Sequence, residues 1–229
     1  MFRYNIRYRL NKWKEVEGIF IPVYLRYGYS VIRFIDNGTY ECEELRLLNS
    51  KLENTDVVME LGTGIGFISA FCARKIGFER VYTFEANEQM KPVILQLFEK
   101  NKVHPHFQVA LLGNDEKDET EFLAQKDFLA SSEKRSSAKG DRIVVPVLDI
   151  NETIKKIQPT YLVMDIEGNE YDVINAIRDF HTIRKIQFEL HPDVLSDEQT
   201  TFIFKVLKDH HFIKDEMVCT ERNFYFEKR

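Results

Sequence analysis

The chain has 229 residues, 44% of them hydrophobic, which is enough for one well-buried core and short for two. Its formal net charge of -5 and pI near 5.8 argue against a general electrostatic attraction to nucleic acid. Cys42, Cys72 and Cys219 are too scattered for a metal site and too few for a disulfide framework, and no apolar run reaches the ~18 residues of a membrane span. The expectation is a cytoplasmic protein that is neither exported nor membrane-spanning.

The first fourteen residues carry Arg3, Arg7, Arg9, Lys12 and Lys14 without an acid, while Phe2, Ile6, Leu10 and Trp13 recur at helical spacing. This predicts a basic amphipathic helix that packs on its own domain or rests on an anionic surface. Ile19 to Pro22 and Ser30 to Phe34 read as short accessory strands, and Asn37-Gly38 as a hairpin turn. A helix follows from Tyr40 through Leu45, Leu47 and Leu48. Residues 1–50 thus form an accessory segment ahead of a domain over 51–229.

Val57 to Phe67 reads Val-Val-Met-Glu-Leu-Gly-Thr-Gly-Ile-Gly-Phe, a buried strand that turns sharply into a helix. Gly62, Gly64 and Gly66 permit a tight turn and a close backbone approach to a ligand. A dinucleotide fingerprint needs its third glycine where Phe67 stands, which weighs against a nicotinamide-dependent dehydrogenase. The acid-x-Gly-x-Gly-x-Gly pattern instead resembles motif I of S-adenosylmethionine-dependent methyltransferases, with Glu60 suited to the ammonium of that cofactor. The helix runs from Phe67 to Gly77, and a second strand, Val81 to Ala86, ends on Glu85. That acid lies nineteen residues beyond Gly66, where nucleotide-binding α/β folds accept hydrogen bonds from ribose hydroxyls.

Asn87 caps the next helix, which holds Pro92 in its first turn and ends at Asn101. His106 to Leu112 predicts a third strand, and Thr120 to Ala124 and Ile143 to Leu148 further extended segments. The polar, serine-rich stretch from Lys126 to Asp141 is a candidate lid or a solvated loop. Asp149 ends a strand before a short helix, Asn151 to Ile157. Tyr161 to Met164 then leads into Asp165-Ile-Glu-Gly-Asn-Glu170, a second strand-to-helix turn, and Ile186 to Leu190 leads into His191-Pro192. Ser196 and Gln199 form a capping box, and Phe212 to Val218 with Asn223 to Phe226 predicts a closing hairpin. Strands alternating with helices and a terminal hairpin predict an α/β fold, Rossmann-like and doubly wound, with a mostly parallel sheet and one antiparallel strand. Its central strand, Val57 to Gly62, is expected between those of Val81 and Leu162.

From about Tyr40 to Pro192 the chain resembles the FkbM family of methyltransferases. The likeness rests on Glu60-Leu-Gly-Thr-Gly-Ile-Gly, Phe84-Glu85-Ala86-Asn87, Asn101, Leu148-Asp149, Asp165-Ile-Glu-Gly-Asn-Glu170 and Glu189-Leu-His191, with the Asp-x-Glu-Gly-x-Glu element the most distinctive. Glu60 replaces the Asp of many members, and Ala86-Asn87 stands where many carry a proline. The resemblance implies a seven-stranded class I methyltransferase sheet and O-methylation of a hydroxyl on a sugar or small natural product. Glu60, Gly62, Thr63, Gly64, Gly66, Phe67, Glu85, Ala86, Asn87 and Asp165 would then bind S-adenosylmethionine. Asp165 with Glu167, and Glu189 with His191, each stand two apart at a strand end, so each pair can face one way. Asp165, Glu189 and His191 are the candidate catalytic residues, with His191 the best base by intrinsic pKa. Asp165, Glu167 and Glu189 offer oxygen ligands to magnesium or manganese, with His191 acceptable to manganese. His191 otherwise fixes the turn before Pro192, and Glu167 and Glu170 otherwise favour a helix N-terminus. The alternative to an enzyme is a catalytically retired binder of cofactor or partner.

Overall fold

The computed structural model describes residues 13–23, 29–114, 119–125 and 140–228. The chain opens with β1 (Trp13–Val16) and β2 (Ile19–Pro22), an antiparallel pair, then α1 (Tyr29–Asn37) and α2 (Cys42–Lys51). The alternating core follows as β3 (Val58–Leu61), α3 (Phe67–Ile76), β4 (Val81–Glu85), α4 (Lys91–Asn101) and β5 (His106–Val109). Next come β6 (Leu111–Gly113), β7 (Glu119–Gln125), β8 (Gly140–Asp149), α5 (Ile150–Ile157), β9 (Tyr161–Met164), α6 (Glu170–Ala176) and β10 (Lys185–Glu189). The last elements are α7 (Asp197–Asp209), β11 (Phe212–Lys214) and β12 (Asn223–Lys228).

The main sheet has seven strands in the order β11-β12-β10-β9-β3-β4-β5. Strands β3, β4, β5, β9 and β10 are mutually parallel, and β12 runs antiparallel to both of its neighbours. The central strand β3 lies between β4 and β9, as its Val-Val-Met run anticipates for a strand covered on both faces. Alternation assigns the two faces: along β9, Tyr161 and Val163 belong to one core, and Leu162 and Met164 to the other. The first core takes α3 and α4 through Phe67, Phe71, Ile94 and Leu97. The second takes α5, α6 and α7 through Ile154, Ile174 and Leu207. The order of β4 and β9 on opposite sides of β3 opens a crevice at the strands' carboxyl ends.

Four expectations change. Ser30 to Phe34 lies in α1 and is no strand, because Ile32 and Ile35, three apart, are both buried on one helical face while Phe34 is exposed. Asn37-Gly38 accordingly ends that helix, with Gly38 at φ +72°, and makes no hairpin. Trp13 and Lys14 begin β1; the rest of the predicted basic helix lies outside the described residues. His106 to Leu112 breaks at Ala110, whose N–H donates to Glu85 O at 3.0 Å, and Leu111 onward pairs with β8 in a separate three-stranded sheet. Residues 126–139 of the candidate lid lie outside the described residues, and 140–141 begin β8. Among the described residues, no helix is long and apolar enough to cross a membrane.

The base of the sheet carries a buried ion pair. Lys185 Nζ donates to Asp56 Oδ2 at 2.9 Å and to Lys51 O at 2.8 Å, and Asp56 also accepts from Thr160 Oγ1 and the Glu53 N–H, both at 2.8 Å. Both partners are buried, so loss of one strands the other's charge. Lys185→Met is expected to destabilise the fold by about 3–5 kcal/mol. Urea denaturation checks this, and a midpoint equal to wild type would mean that the pair carries no such energy.

Candidate functional site

The glycine turn after β3 is shaped by contacts that exclude a side chain. Gly62 has φ +87°, and a Cβ there would sit 1.8 Å from the carbonyl oxygen of Asp165. The Gly62 and Thr63 N–H groups both donate to Phe84 O, at 2.9 and 3.2 Å. Gly66, at φ +90°, would drive a Cβ to 3.0 Å from the ring of Phe98. The turn therefore lies flat against β4 and the end of β9, and a cavity of about 510 Å³ opens over it. Gly62, Thr63, Gly64, Phe67, Glu85, Ala86 and Asp165 line this cavity, and the wall opposite comes from Leu111 to Asn114. Asn87 is buried behind the wall, where its Oδ1 accepts from Gln89 N–H at 3.1 Å.

Two acids expected to meet a ligand occupy different places. Glu60 is buried beneath the turn, and its Oε2 accepts from the hydroxyls of Ser69 and Thr83. Burial pushes its pKa up to about 7 against the lowering effect of those two hydrogen bonds. Glu85 stands in the cavity wall, where Oε2 accepts from Gly64 N–H at 2.9 Å and Oε1 from Asn87 N–H at 2.8 Å. Burial raises its pKa to about 7 as well, and the backbone donors resist. Glu60 thus organises the turn from below, and Glu85 faces what the cavity holds.

The second strand-to-helix turn, after β9, gathers the other candidates. His191 is 5% exposed, and its Nδ1 lies 3.1 Å from Glu170 Oε1. Glu170 is fully buried and held by the Gly168 N–H at 3.2 Å. The other ring nitrogen, Nε2, lies 3.6 Å from Asp165 Oδ1 and 3.5 Å from Glu167 Oε2. Glu167 at φ +52° and Gly168 at φ +106° make the bend that aims these groups inward, and a Cβ on Gly168 would meet Val194 at 2.4 Å. Burial alone would lower the His191 pKa, but the Glu170 hydrogen bond and the surrounding carboxylates outweigh it and the net shift is upward from 6.5. Asp165 is pushed well above the usual carboxylate range by burial, then by Glu41, Glu189 and Glu167.

Among the described residues, the group whose donor atoms lie within 4.8 Å of one another is Asp165, Glu170 and His191. Glu167 stands at its edge. Glu189 is not in that group; it lines a neighbouring groove together with Glu44 and Asp165. The sequence reading assigned Glu170 only a helix-terminus role, although it closes the Asp-x-Glu-Gly-x-Glu element and that spacing was its signal. Tyr40, Glu41 and Asn169 also line the cavity, Asn169 from within the Asp165-to-Glu170 element.

The model of the methyltransferase FkbM domain matches residues 56–226. No curated protein matches the sequence. Among solved structures, the chain is similar to a Pyrococcus abyssi tRNA (uracil-54, C5)-methyltransferase in complex with S-adenosyl-L-homocysteine, with 14% identity, TM-score 0.50, 95% of this chain and 43% of that one. It is also similar to a methyltransferase from Pyrococcus furiosus, with 11% identity, TM-score 0.49, 99% of this chain and 96% of that one. A ribosomal protein L11 methylase from Lactobacillus delbrueckii subsp. bulgaricus gives 12% identity and TM-score 0.46 over 82% of this chain and 77% of that one. At these identities the likeness is one of fold.

The contact at Gly62 generates a stability prediction. In Gly62→Ala the new Cβ collides with backbone, and the left-handed φ is strained for any L side chain. The expected loss is at least about 3 kcal/mol, read as a lower urea midpoint. A change below about 1 kcal/mol would show that the turn can move away from β9.

Proposed function

The chain belongs to the methyltransferase FkbM domain family and is an S-adenosylmethionine-dependent methyltransferase, and we propose that its acceptor is a hydroxyl on a sugar or other small natural product. The observation that carries this reading is His191, held at Nδ1 by buried Glu170, with Nε2 facing the Asp165 side of the glycine cavity. Fold likeness to a tRNA methyltransferase does not bring its substrate here. A net charge of -5 and a carboxylate-rich site disfavour a polyanionic acceptor.

The cavity fits the cofactor. Its glycine floor admits a ligand against bare backbone, and Glu85 offers carboxylate oxygens to ribose hydroxyls from the wall. Gly62, Thr63 and Gly64 would border the methionine part. Glu60 reaches its ammonium only through the turn that it supports. S-adenosylmethionine, when bound, supplies a sulfonium methyl group for attack by a nucleophile. The chain's own work is then to align the hydroxyl and take its proton. Glu170 at Nδ1 selects the tautomer with Nε2 unprotonated, so Nε2 would take the proton of the acceptor hydroxyl. Asp165 and Glu167 flank the resulting imidazolium and stabilise it. These retained groups weigh against a retired binder.

A second reading follows from two atoms. Asp165 Oδ1 and Glu170 Oε2 are buried without a hydrogen-bond partner, an arrangement that a divalent cation such as magnesium or manganese would satisfy. Asp165, Glu170 and His191 would be its ligands, with Glu167 at the edge of the group. Turnover abolished by EDTA and restored by either metal selects this reading, and EDTA-insensitive turnover selects the base alone.

Replacing Glu85 by Ala is expected to weaken S-adenosylhomocysteine binding by about 1.5–3 kcal/mol, the range for a hydrogen bond to a charged group. Isothermal titration reads it, and unchanged affinity would remove Glu85 from the cofactor site.

For the base, His191→Ala is expected to lower turnover by about 10²–10⁴-fold. Wild-type activity should rise with pH through a midpoint above 6.5, because only neutral His191 accepts the proton and its pKa is raised. Glu170→Gln removes the charge that raises that pKa, so the midpoint should move to lower pH. A pH profile on a panel of hydroxylated acceptors checks both, and a midpoint that stays put in Glu170→Gln refutes the assignment.

A further inference from the structure

Beside the glycine cavity lies a second groove of about 490 Å³, and the two share Tyr40, Glu41 and Asp165 along a common wall. Its floor is built by a cross-strand pair. Glu189 of β10 and Asn223 of β12 stand opposite one another in the antiparallel ladder and so face the same side. The start of α2 adds Glu41 and Glu44 from above. Glu44 and Glu189 both line the groove, and the charge of Glu189 acts on Glu44. The charges that act most strongly on Glu41, Glu44 and Asp165 are all carboxylates; burial with that repulsion pushes Glu41 up to about 8 and Glu44 to about 7. Arg222 stands at the rim with a side chain 57% exposed, and its Nη1 reaches only to 4.0 Å from Glu189.

A second, independent observation points to a ligand. Asn223 is 4% exposed, and its Nδ2 donates to Glu43 Oε2 at 3.1 Å. That bond fixes the amide, and the opposite atom, Oδ1, is buried with no hydrogen-bond partner in a residue that lines the groove. A buried acceptor left unmet beside a crowd of carboxylates lacks a donor.

We propose that this groove binds a protonated amino group of the methyl acceptor, which makes the acceptor an amine-bearing hydroxyl compound of the amino-sugar class. This rests on the reading that the glycine cavity holds the methyl donor, since the shared wall then sets the hydroxyl beside Asp165 and the amine beyond it. An ammonium carries three donors, and Glu44, Glu189 and Asn223 Oδ1 each accept one. Charge-assisted bonds of this kind discriminate strongly against a neutral analogue. The groove is too roomy for a bare metal ion, and Phe34, an exposed aromatic on its lining, suits an organic body carrying a cation.

The test is an NMR titration of the full chain, saturated with S-adenosylhomocysteine, against glucosamine and N-acetylglucosamine at 0.15 M salt. The first is expected to bind about tenfold tighter or more, because acetylation removes the charge and two donors. Glu189→Gln is expected to raise the glucosamine Kd about tenfold, and Asn223→Ala gives the same reading should Glu189→Gln not fold. Equal affinity for the two sugars, no glucosamine binding by wild type, undiminished binding in both variants, or displacement of glucosamine by millimolar MgCl₂ would each overturn the proposal. Its failure is separable from that of the reading beneath it. Glucosamine bound in the groove with no hydroxyl methylated would refute O-methylation and keep the amine site, while neutral sugars methylated as well as amino sugars would do the reverse.

Discussion

The site depends on one close approach, the backbone of Gly62 against the carbonyl of Asp165. Strands β3 and β9 are hydrogen-bonded neighbours, and the Asp165 N–H donates to Leu61 O at 3.0 Å, so the two turns leave the sheet side by side. Any side chain at residue 62 would separate them. With none there, the glycine cavity and the carboxylate turn share Asp165. The three motif glycines do different work: Gly62 meets another strand, Gly66 meets a helix through Phe98, and Gly64 offers its N–H to Glu85.

Carboxylates of the same chemical type are sorted here by what donates to them. Glu60 is satisfied by two hydroxyls and belongs to the framework. Glu85 is satisfied by two backbone N–H groups, whose placement in the cavity wall leaves lone pairs for a ligand. Glu170 spends one oxygen on Gly168 and His191 and leaves the other unmet. Glu41 and Glu44 stand mainly among other carboxylates, which with burial push their pKa values up to about 8 and about 7, while Glu189 has Arg222 at 4.0 Å. Burial raises the proton affinity of Glu41, Glu44, Glu60 and Glu85, and the local donors resist it.

The accessory segment is tied to the core by a side chain that the family resemblance picked out without a reason. Asn101, at the end of α4, accepts the Phe20 N–H through Oδ1 and donates through Nδ2 to Phe20 O, both at 2.8 Å. It thereby pairs the exposed edge of β2 as another strand would. Val16, Ile19 and Ile21 then share one hydrophobic core with Phe71 and Leu97. On the far side of that core, α2 brings its N-cap Glu41 and Glu44 to the groove.

Local pattern determined the elements whose chemistry is local. The glycine turn, the acid closing β4, the capping box of α7 and the buried run of β3 all depend on neighbours a few residues away, and the sequence alone specified them. The Asp165, Glu167 and His191 grouping was legible for the same reason, since each lies just past the end of a parallel strand and a parallel sheet brings such ends to one edge. Ser30 to Phe34 reads as a strand because β-branched Val31 and Ile32 favour one, and burial of Ile32 with Ile35 on one helical face overrides that local preference. Long-range packing decided the rest. Glu60 turned inward because Ser69 and Thr83 were there to receive it, Glu189 came to line a groove with Glu44, and Asn223 came to face Glu189 through an antiparallel register formed thirty-four positions away. A side chain's partner across the sheet is fixed by strand order and register, and those are properties of the whole chain.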